Sequence, residues 1–204
     1  TKPIIFDADN GGRLEHISYL VKTLDRIGVS AMIIEDKVGL KKNSLFKNQK
    51  GVKQDSIKGF SKKITAAKKS KISEDFMIIA RIESFILGKS LSDALKRSEA
   101  YVKAGVDAIM IHSKENNPKE IFAFSKIFSK SKYAKPIVVV PSTYSKIFER
   151  DLIKNNIKVV IYANHMLRAS YRAMTQTAKK ILKNQRAYEI EKNIVPINDI
   201  INLI

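Results

Sequence analysis

Short apolar runs alternate along this chain with longer stretches in which apolar residues recur at helical spacing. The runs predict strands over Pro3–Asp9, Ala31–Glu35, Phe76–Arg81, Ala108–His112, Pro136–Val140 and Val159–Tyr162. Between them, helices are predicted near Glu15–Ile27, Asp55–Ser70, Leu91–Ala104, Pro118–Ser129, Tyr144–Asn155 and Met166–Asn184. In the stretch Leu91–Ala104, Leu91, Ala94, Leu95, Ala100 and Val102 supply an apolar side, Ser90 or Ser92 can cap the start, and Gly105 marks the stop. Strands that are apolar on both faces belong to parallel sheets covered by helices. A succession of βα units suits a parallel barrel or a doubly wound sheet. No glycine-rich dinucleotide fingerprint follows any strand, which favours the barrel.

The chain has 204 residues, of which 44% are hydrophobic, enough for one domain with a substantial core. No run of apolar residues is long enough to span a membrane, no secretory pattern opens the chain, and there is no cysteine. A cytoplasmic protein without disulfides or a membrane partner is expected. Thr1 runs directly into an apolar strand pattern, so the expectation is that residue 1 lies inside a domain. The net charge of +18 could signal a polyanion partner. However, the lysines are spread over nearly every helical stretch, and no RNA-reading aromatic motif is present. Nucleic acid is therefore not expected as a partner. A basic, non-catalytic polyanion-binding module stands as the reading from a different class; salt would abolish its binding.

Ionisable residues recur at the strand ends: Asp7 and Asp9, Glu35, Arg81, His112, then Asn164-His165 after the last strand. In a (β/α) barrel all strand ends of this polarity meet at one face, where catalytic groups gather. Asp7 and Asp9 are two apart on a predicted strand, so both project to one side. With Glu35 they form an oxygen-only carboxylate set that suits Mg²⁺. The alternative is that Asp9-Asn10-Gly11-Gly12 is a plain turn with Asp9 as a local cap. After Glu35 a long connection carries Lys37, Lys41, Lys42, Lys47, Lys50 and Lys53 before the next helix. A connection of that length in a compact α/β domain suggests a lid, here a cationic one suited to an anionic, phosphorylated substrate.

The run Glu35-Asp36-Lys37, followed after five residues by Asn43-Ser44, resembles the signature of phosphoenolpyruvate mutases in the isocitrate lyase superfamily. Asp7-Ala-Asp9, Ile79-Ala-Arg81-Ile-Glu83, Ile111-His112-Ser113-Lys114 and Tyr162-Ala-Asn164-His165-Met-Leu-Arg168-Ala resemble further motifs of that family, in the same order. The resemblance implies a (β/α)8 TIM barrel of which residues 1–204 supply six units, the first two strands lying upstream. Closed barrel and full site would then need those upstream residues, and this polypeptide alone is expected to be inactive. It implies that Asp7, Asp9 and Glu35 hold Mg²⁺, partly through water. Arg81 would contact the substrate carboxylate and phosphoryl group, and His112 would lie beside the phosphoryl. Lys41 and Asn43 would be carried in by the lid. Ser44 would belong to the substrate-binding set, with Glu83 and Lys37 as supporting partners.

The implied reaction interconverts phosphoenolpyruvate and 3-phosphonopyruvate, the first step of phosphonate biosynthesis. Phosphonopyruvate hydrolase is the alternative within the superfamily; the lid asparagine Asn43 favours the mutase. The superfamily's carbon–carbon lyases carry a lid cysteine that this chain lacks. One departure is Asn10-Gly11-Gly12-Arg13, where the mutases often have Thr-Gly-Tyr-Gly. Kinship further implies a homodimer or homotetramer, with the last helix often exchanged between subunits. In some relatives a nucleotidyltransferase domain follows.

Overall fold

A computed structural model describes residues 2–39, 42–44, 46 and 48–203. The chain divides into two compact units, Thr1–Ile161 and Tyr162–Ile204.

The first unit is built on a six-stranded sheet of β1 (Ile5–Asp7), β2 (Ala31–Glu35), β5 (Met77–Ile82), β6 (Ala108–Ile111), β7 (Ile137–Val139) and β8 (Ile157–Val160), in that order. Every neighbouring pair is parallel. Strand order follows chain order without a reversal, which is the winding of a (β/α) barrel wall; a doubly wound sheet would reverse direction part-way. The short strands β3 (Lys37–Val38) and β4 (Lys53–Gln54) form a separate antiparallel pair at the stem of the long connection.

The helices of this unit are α1 (Ile17–Arg26), α2 (Ile57–Lys69), α3 (Leu91–Ala104), α4 (Lys119–Phe128) and α5 (Glu149–Lys154). Three of them bury an apolar stripe at helical spacing: Ile17, Val21 and Leu24 on α1, Phe60, Ile64 and Ala67 on α2, Ile121, Phe124 and Phe128 on α4. Ser56 caps α2 by accepting from the Gly59 amide, and Ser90 caps α3 by accepting from Asp93. Gly105, at φ 111°, ends α3 in the left-handed region. The main core lies between these helices and one face of the sheet, through Met32, Ile34, Ile78, Ala80, Ile82, Ile109 and Ile111. By strand alternation the other face receives Asp7, Ile33, Glu35, Ile79 and Arg81, with Glu35 and Arg81 in direct register.

Several sequence expectations shift. The predicted helix Tyr144–Asn155 is confined to Glu149–Lys154, because Phe148 is extended and Tyr144 is a buried loop residue. The last strand begins two residues earlier than predicted, at Ile157. The first strand is only Ile5–Asp7: Asp9 has φ 52° and has left the strand, so alternation does not govern its side chain. On α3 the buried residues are Ala94, Arg97, Ser98 and Tyr101, while Leu91, Leu95, Ala100 and Val102 are only partly buried. The polar pattern concealed this stripe because Arg97 enters it with a buried ionic partner.

The second unit contains α6 (His165–Asn184), α7 (Tyr188–Glu191) and α8 (Ile197–Ile201). α6 buries none of its residues and exposes Met166, Leu167, Tyr171, Met174 and Leu182. Among the described residues no helix is long and apolar enough to cross a membrane.

Gly11 closes the turn after β1 at φ 74°, and a Cβ there would stand 2.9 Å from Ile17 Cδ1 and 3.1 Å from Ile34 Cγ2. Gly12 shares the left-handed backbone, at φ 70°, but has open space. Gly11→Ala is therefore expected to destabilise the protein by more than about 1 kcal/mol, and by more than Gly12→Ala. Equal losses in urea unfolding would show that backbone strain alone matters there.

Candidate active site

Beyond the C-terminal ends of β2, β5 and β6, the chain buries a connected set of charged side chains. Glu35, Asp36 and Lys37 are consecutive and all buried. Buried charges are tolerated only with opposite charges and hydrogen bonds around them. Lys37 Nζ stands 3.3 Å from Glu35 Oε1 and 3.1 Å from Glu83 Oε2. Arg81 Nε donates to Glu83 Oε1 at 2.6 Å, and its Nη2 stands 3.6 Å from Glu35 Oε2. Two carboxylates and two cations thus balance within one buried cluster.

The long connection reaches into this cluster through Ser44. Its hydroxyl donates to Glu83 Oε2 at 2.6 Å and accepts from Lys37 Nζ at 2.9 Å and Arg81 Nη2 at 2.8 Å. Lys37 also donates to the Lys42 carbonyl. Asn43 is exposed, and its carbonyl accepts from Gln49 Nε2 and the Phe46 amide. Lys41 and Lys47 lie outside the described residues.

His112, at the end of β6, completes the set. Arg81 Nη2 lies 2.9 Å from its Nδ1, and Glu83 Oε1 lies 3.3 Å from the same nitrogen. Arg81 can only donate to this nitrogen and the Glu83 carboxylate can only accept from it, so the ring tautomer sets which of the two contacts is the hydrogen bond. Burial pushes the His112 proton affinity down, against the pull of Glu83. Burial alone would raise the Glu83 carboxyl, but the adjacent His112, Arg81 and Lys37 outweigh it and hold it well below the usual carboxylate range. The Glu35 carboxyl is pushed up by burial, with Arg81 and Lys37 opposing.

The first strand reaches the same neighbourhood. Asp7 contributes to the charge felt by Arg81. The Asp9 carbonyl accepts from the Glu35 amide at 2.7 Å, and the Asp9 amide donates to Asp7 Oδ1. The turn is held by Lys63, whose Nζ donates to the Asn10 carbonyl at 2.7 Å. Among the described residues no three His, Asp or Glu side chains stand close enough to hold a metal ion by themselves. Asn164 and His165 open α6 in the second unit.

The resemblance placed Glu83 among the supporting partners and Ser44 in the substrate-binding set. Here Glu83 touches Arg81, Lys37, Ser44 and His112. Its position two residues after Arg81 was the available signal. Arg97 was missed, although an arginine on the buried stripe of α3 demands a buried acid.

A family model described as phosphoenolpyruvate phosphomutase matches residues 1–182. The chain belongs to the phosphoenolpyruvate phosphomutase family. Phosphoenolpyruvate phosphomutase of Tetrahymena pyriformis is 36% identical over 202 residues, covering 98% of this chain and 66% of that protein. The crystal structure of phosphoenolpyruvate phosphomutase from Streptomyces platensis subsp. rosaceus superposes with a TM-score of 0.93 at 38% identity, covering all of this chain and 69% of that one. A crystal structure of phosphonopyruvate hydrolase in complex with oxalate and Mg²⁺ superposes at 0.87 with 33% identity, covering 98% of this chain and 68% of that one. The chain thus spans about two thirds of the length of these relatives. The family contains both mutase and hydrolase activities, and the fold is its α/β barrel type. Nothing in these similarities supports a non-catalytic polyanion-binding module.

Because His112 is neutral in the fold, the unfolded chain binds the extra proton more readily just below its ordinary value of about 6.5. Stability is therefore expected to fall as pH drops from 7.5 to 5.5, and to fall less steeply in His112→Gln. Thermal melts across that range check this; identical slopes in the two proteins would overturn it.

Proposed function

We propose that the whole protein is a magnesium-dependent phosphoenolpyruvate mutase that interconverts phosphoenolpyruvate and 3-phosphonopyruvate. The observation that carries this reading is the docking of Ser44, beside Asn43 in the long connection, into the Lys37–Arg81–Glu83 cluster. The lid sequence that resembles the mutases is thereby tied to the groups that would hold a phosphorylated anion.

The donor set fits a hard divalent cation. Asp7, Asp9 and Glu35 offer oxygen only, and Glu35 Oε2 is buried without a hydrogen-bond donor. These three residues would hold Mg²⁺, which when bound supplies Lewis-acid stabilisation of negative charge on the pyruvyl oxygens.

The remaining work falls to this chain's own groups. Arg81, aimed by its short bond to Glu83, presents a planar fork to the substrate carboxylate and phosphoryl oxygens. His112 would lie beside the phosphoryl group, its Nδ1 held between Arg81 and Glu83. Lys41 and Asn43 would accompany the phosphoryl group from the enol oxygen to carbon 3 of the same unit, while the connection excludes water. Ser44 acts here as the tie between connection and cluster, its hydroxyl being engaged by three protein groups.

Phosphonopyruvate hydrolysis is the second reading, since the family includes it; Asn43 favours the mutase. We further take the protein to be a cytoplasmic homodimer or homotetramer, for which α6, amphipathic and with none of its residues buried, is the candidate contact.

Phosphorus NMR of the whole protein with phosphonopyruvate and Mg²⁺ is expected to show phosphoenolpyruvate as product. Inorganic phosphate in its place would establish the hydrolase. Asn43→Ala is expected to lower turnover by roughly a hundredfold, the scale of one lost transition-state donor, while leaving the thermal midpoint unchanged. Asp7→Ala is expected to abolish Mg²⁺-dependent turnover without unfolding the protein; wild-type rates would remove Asp7 from the metal set.

A further inference from the structure

Asp36 sits between two residues of the charged cluster but belongs to neither of their contacts. Strand alternation turns it to the opposite side, toward α3, where it is fully buried. Its Oδ1 accepts from the Glu83 amide at 3.0 Å. Its Oδ2 accepts from Tyr101 Oη at 2.7 Å, Gln54 Nε2 at 2.8 Å and Arg97 Nη1 at 3.1 Å. The backbone adds two ties: the Asp36 amide donates to the Arg81 carbonyl, and the Asp36 carbonyl accepts from the Asp55 amide.

These partners have one feature in common. Asp36 is where the chain leaves β2 for the long connection, and Gln54–Asp55 is where it returns through β4. Arg97 holds both points, donating to Asp36 and, at 2.9 Å, to the Asp55 carbonyl. It also donates to Tyr101 Oη at 2.8 Å, and through Nε to Asp93. Gln54 reaches Ser84 Oγ, which in turn donates to Asp93. A helix that only had to pack against the sheet would do so at least as well with apolar residues, since a buried ion pair seldom adds net stability. What such a network supplies is a single geometry, because a partly satisfied version is costly.

We infer that Arg97 and Tyr101 are positioning residues. From α3 they fix the two feet of the connection that carries Asn43 and Ser44. Through Asp36 and the Glu83 amide they also fix the carboxylate that aims Arg81. The kinetic consequence rests on the function proposed above; the structural consequence does not.

The test uses the whole protein with Arg97→Lys and Tyr101→Phe, the second removing one hydroxyl at nearly constant volume. Asp107→Asn is the control. Asp107 also joins a helix to the sheet, accepting from Lys68 Nζ and the Ile78 amide, but at the strand starts. Hydrogen exchange is read in peptides covering residues 48–55 and in peptides of β5 and β6, alongside kcat and KM. Both α3 variants are expected to speed exchange in 48–55 by roughly tenfold or more, the scale of one lost hydrogen bond to a charged group, with β5 and β6 unchanged. They are also expected to lower kcat by a similar factor with a smaller change in KM. Asp107→Asn should lower overall stability without a selective change in 48–55. Exchange in 48–55 that moves no more in Tyr101→Phe than in Asp107→Asn would overturn the inference. Wild-type protein that yields neither product would overturn the proposed function, and the exchange comparison would still decide the role of Arg97 and Tyr101.

Discussion

The site depends on the mutual neutralisation of Glu35, Lys37, Arg81 and Glu83, three of them buried and Arg81 nearly so. An isolated charge there would be prohibitive, so none of the four can be placed independently of the others. Glu83 is the shared partner, bonded to Arg81 and Lys37 at once, and the Ser44 hydroxyl closes the remaining gaps. That arrangement requires β2 and β5 to be in register, since Glu35 and Arg81 must face one another across the pair. It also requires the long connection to return a polar residue from above. Sheet register, connection geometry and charge balance are therefore aspects of one constraint.

Strand alternation lets three consecutive ionisable residues serve two networks. Glu35 and Lys37 face the site, while Asp36 faces α3, where Arg97 and Tyr101 meet it. The two networks share a wall: the Glu83 amide bonds to Asp36 while the Glu83 carboxylate bonds to Arg81. A displacement on the helix side would thereby reach the group that would hold substrate over a short path through the hydrogen-bonded side chains of Asp36 and Glu83. This is how a helix on the outside of a barrel can influence chemistry at the strand ends.

Membership of the phosphoenolpyruvate phosphomutase family fixes the scaffold and its strand-end site, on which relatives carry out more than one reaction. Mutase and hydrolase would share nearly all of the groups described above. What would separate them is the fate of the phosphoryl group during transfer. In the function proposed above, Asn43 is the residue of this chain on which that difference would turn.

Much of the fold was legible in the residue pattern. Apolar runs placed all six strands of the main sheet, and the helix over Leu91–Ala104 agrees to the residue. Hydrophobic period is a local property, which is why it survives without knowledge of the neighbours. Asp7, Glu35, Arg81 and His112 were likewise legible as polar endings to apolar strands. Asp9 was misjudged in geometry, because the departure of the backbone from β1 is set by Gly11 fitting against Ile17 and Ile34. The short pair β3–β4, the central part of Glu83, the tie through Ser44 and the buried pairing of Arg97 with Asp36 were not legible. Each depends on residues well separated along the chain meeting in one place, and a buried charge reads in sequence like an exposed one until its partner is known. By itself the sequence determined which segments form strands and helices and which ionisable residues end them, because those follow from local periodicity. Which of those charges share a dry pocket, and which residue holds each of them in place, was decided only by the tertiary structure, because desolvation makes a charge depend on every neighbour at once.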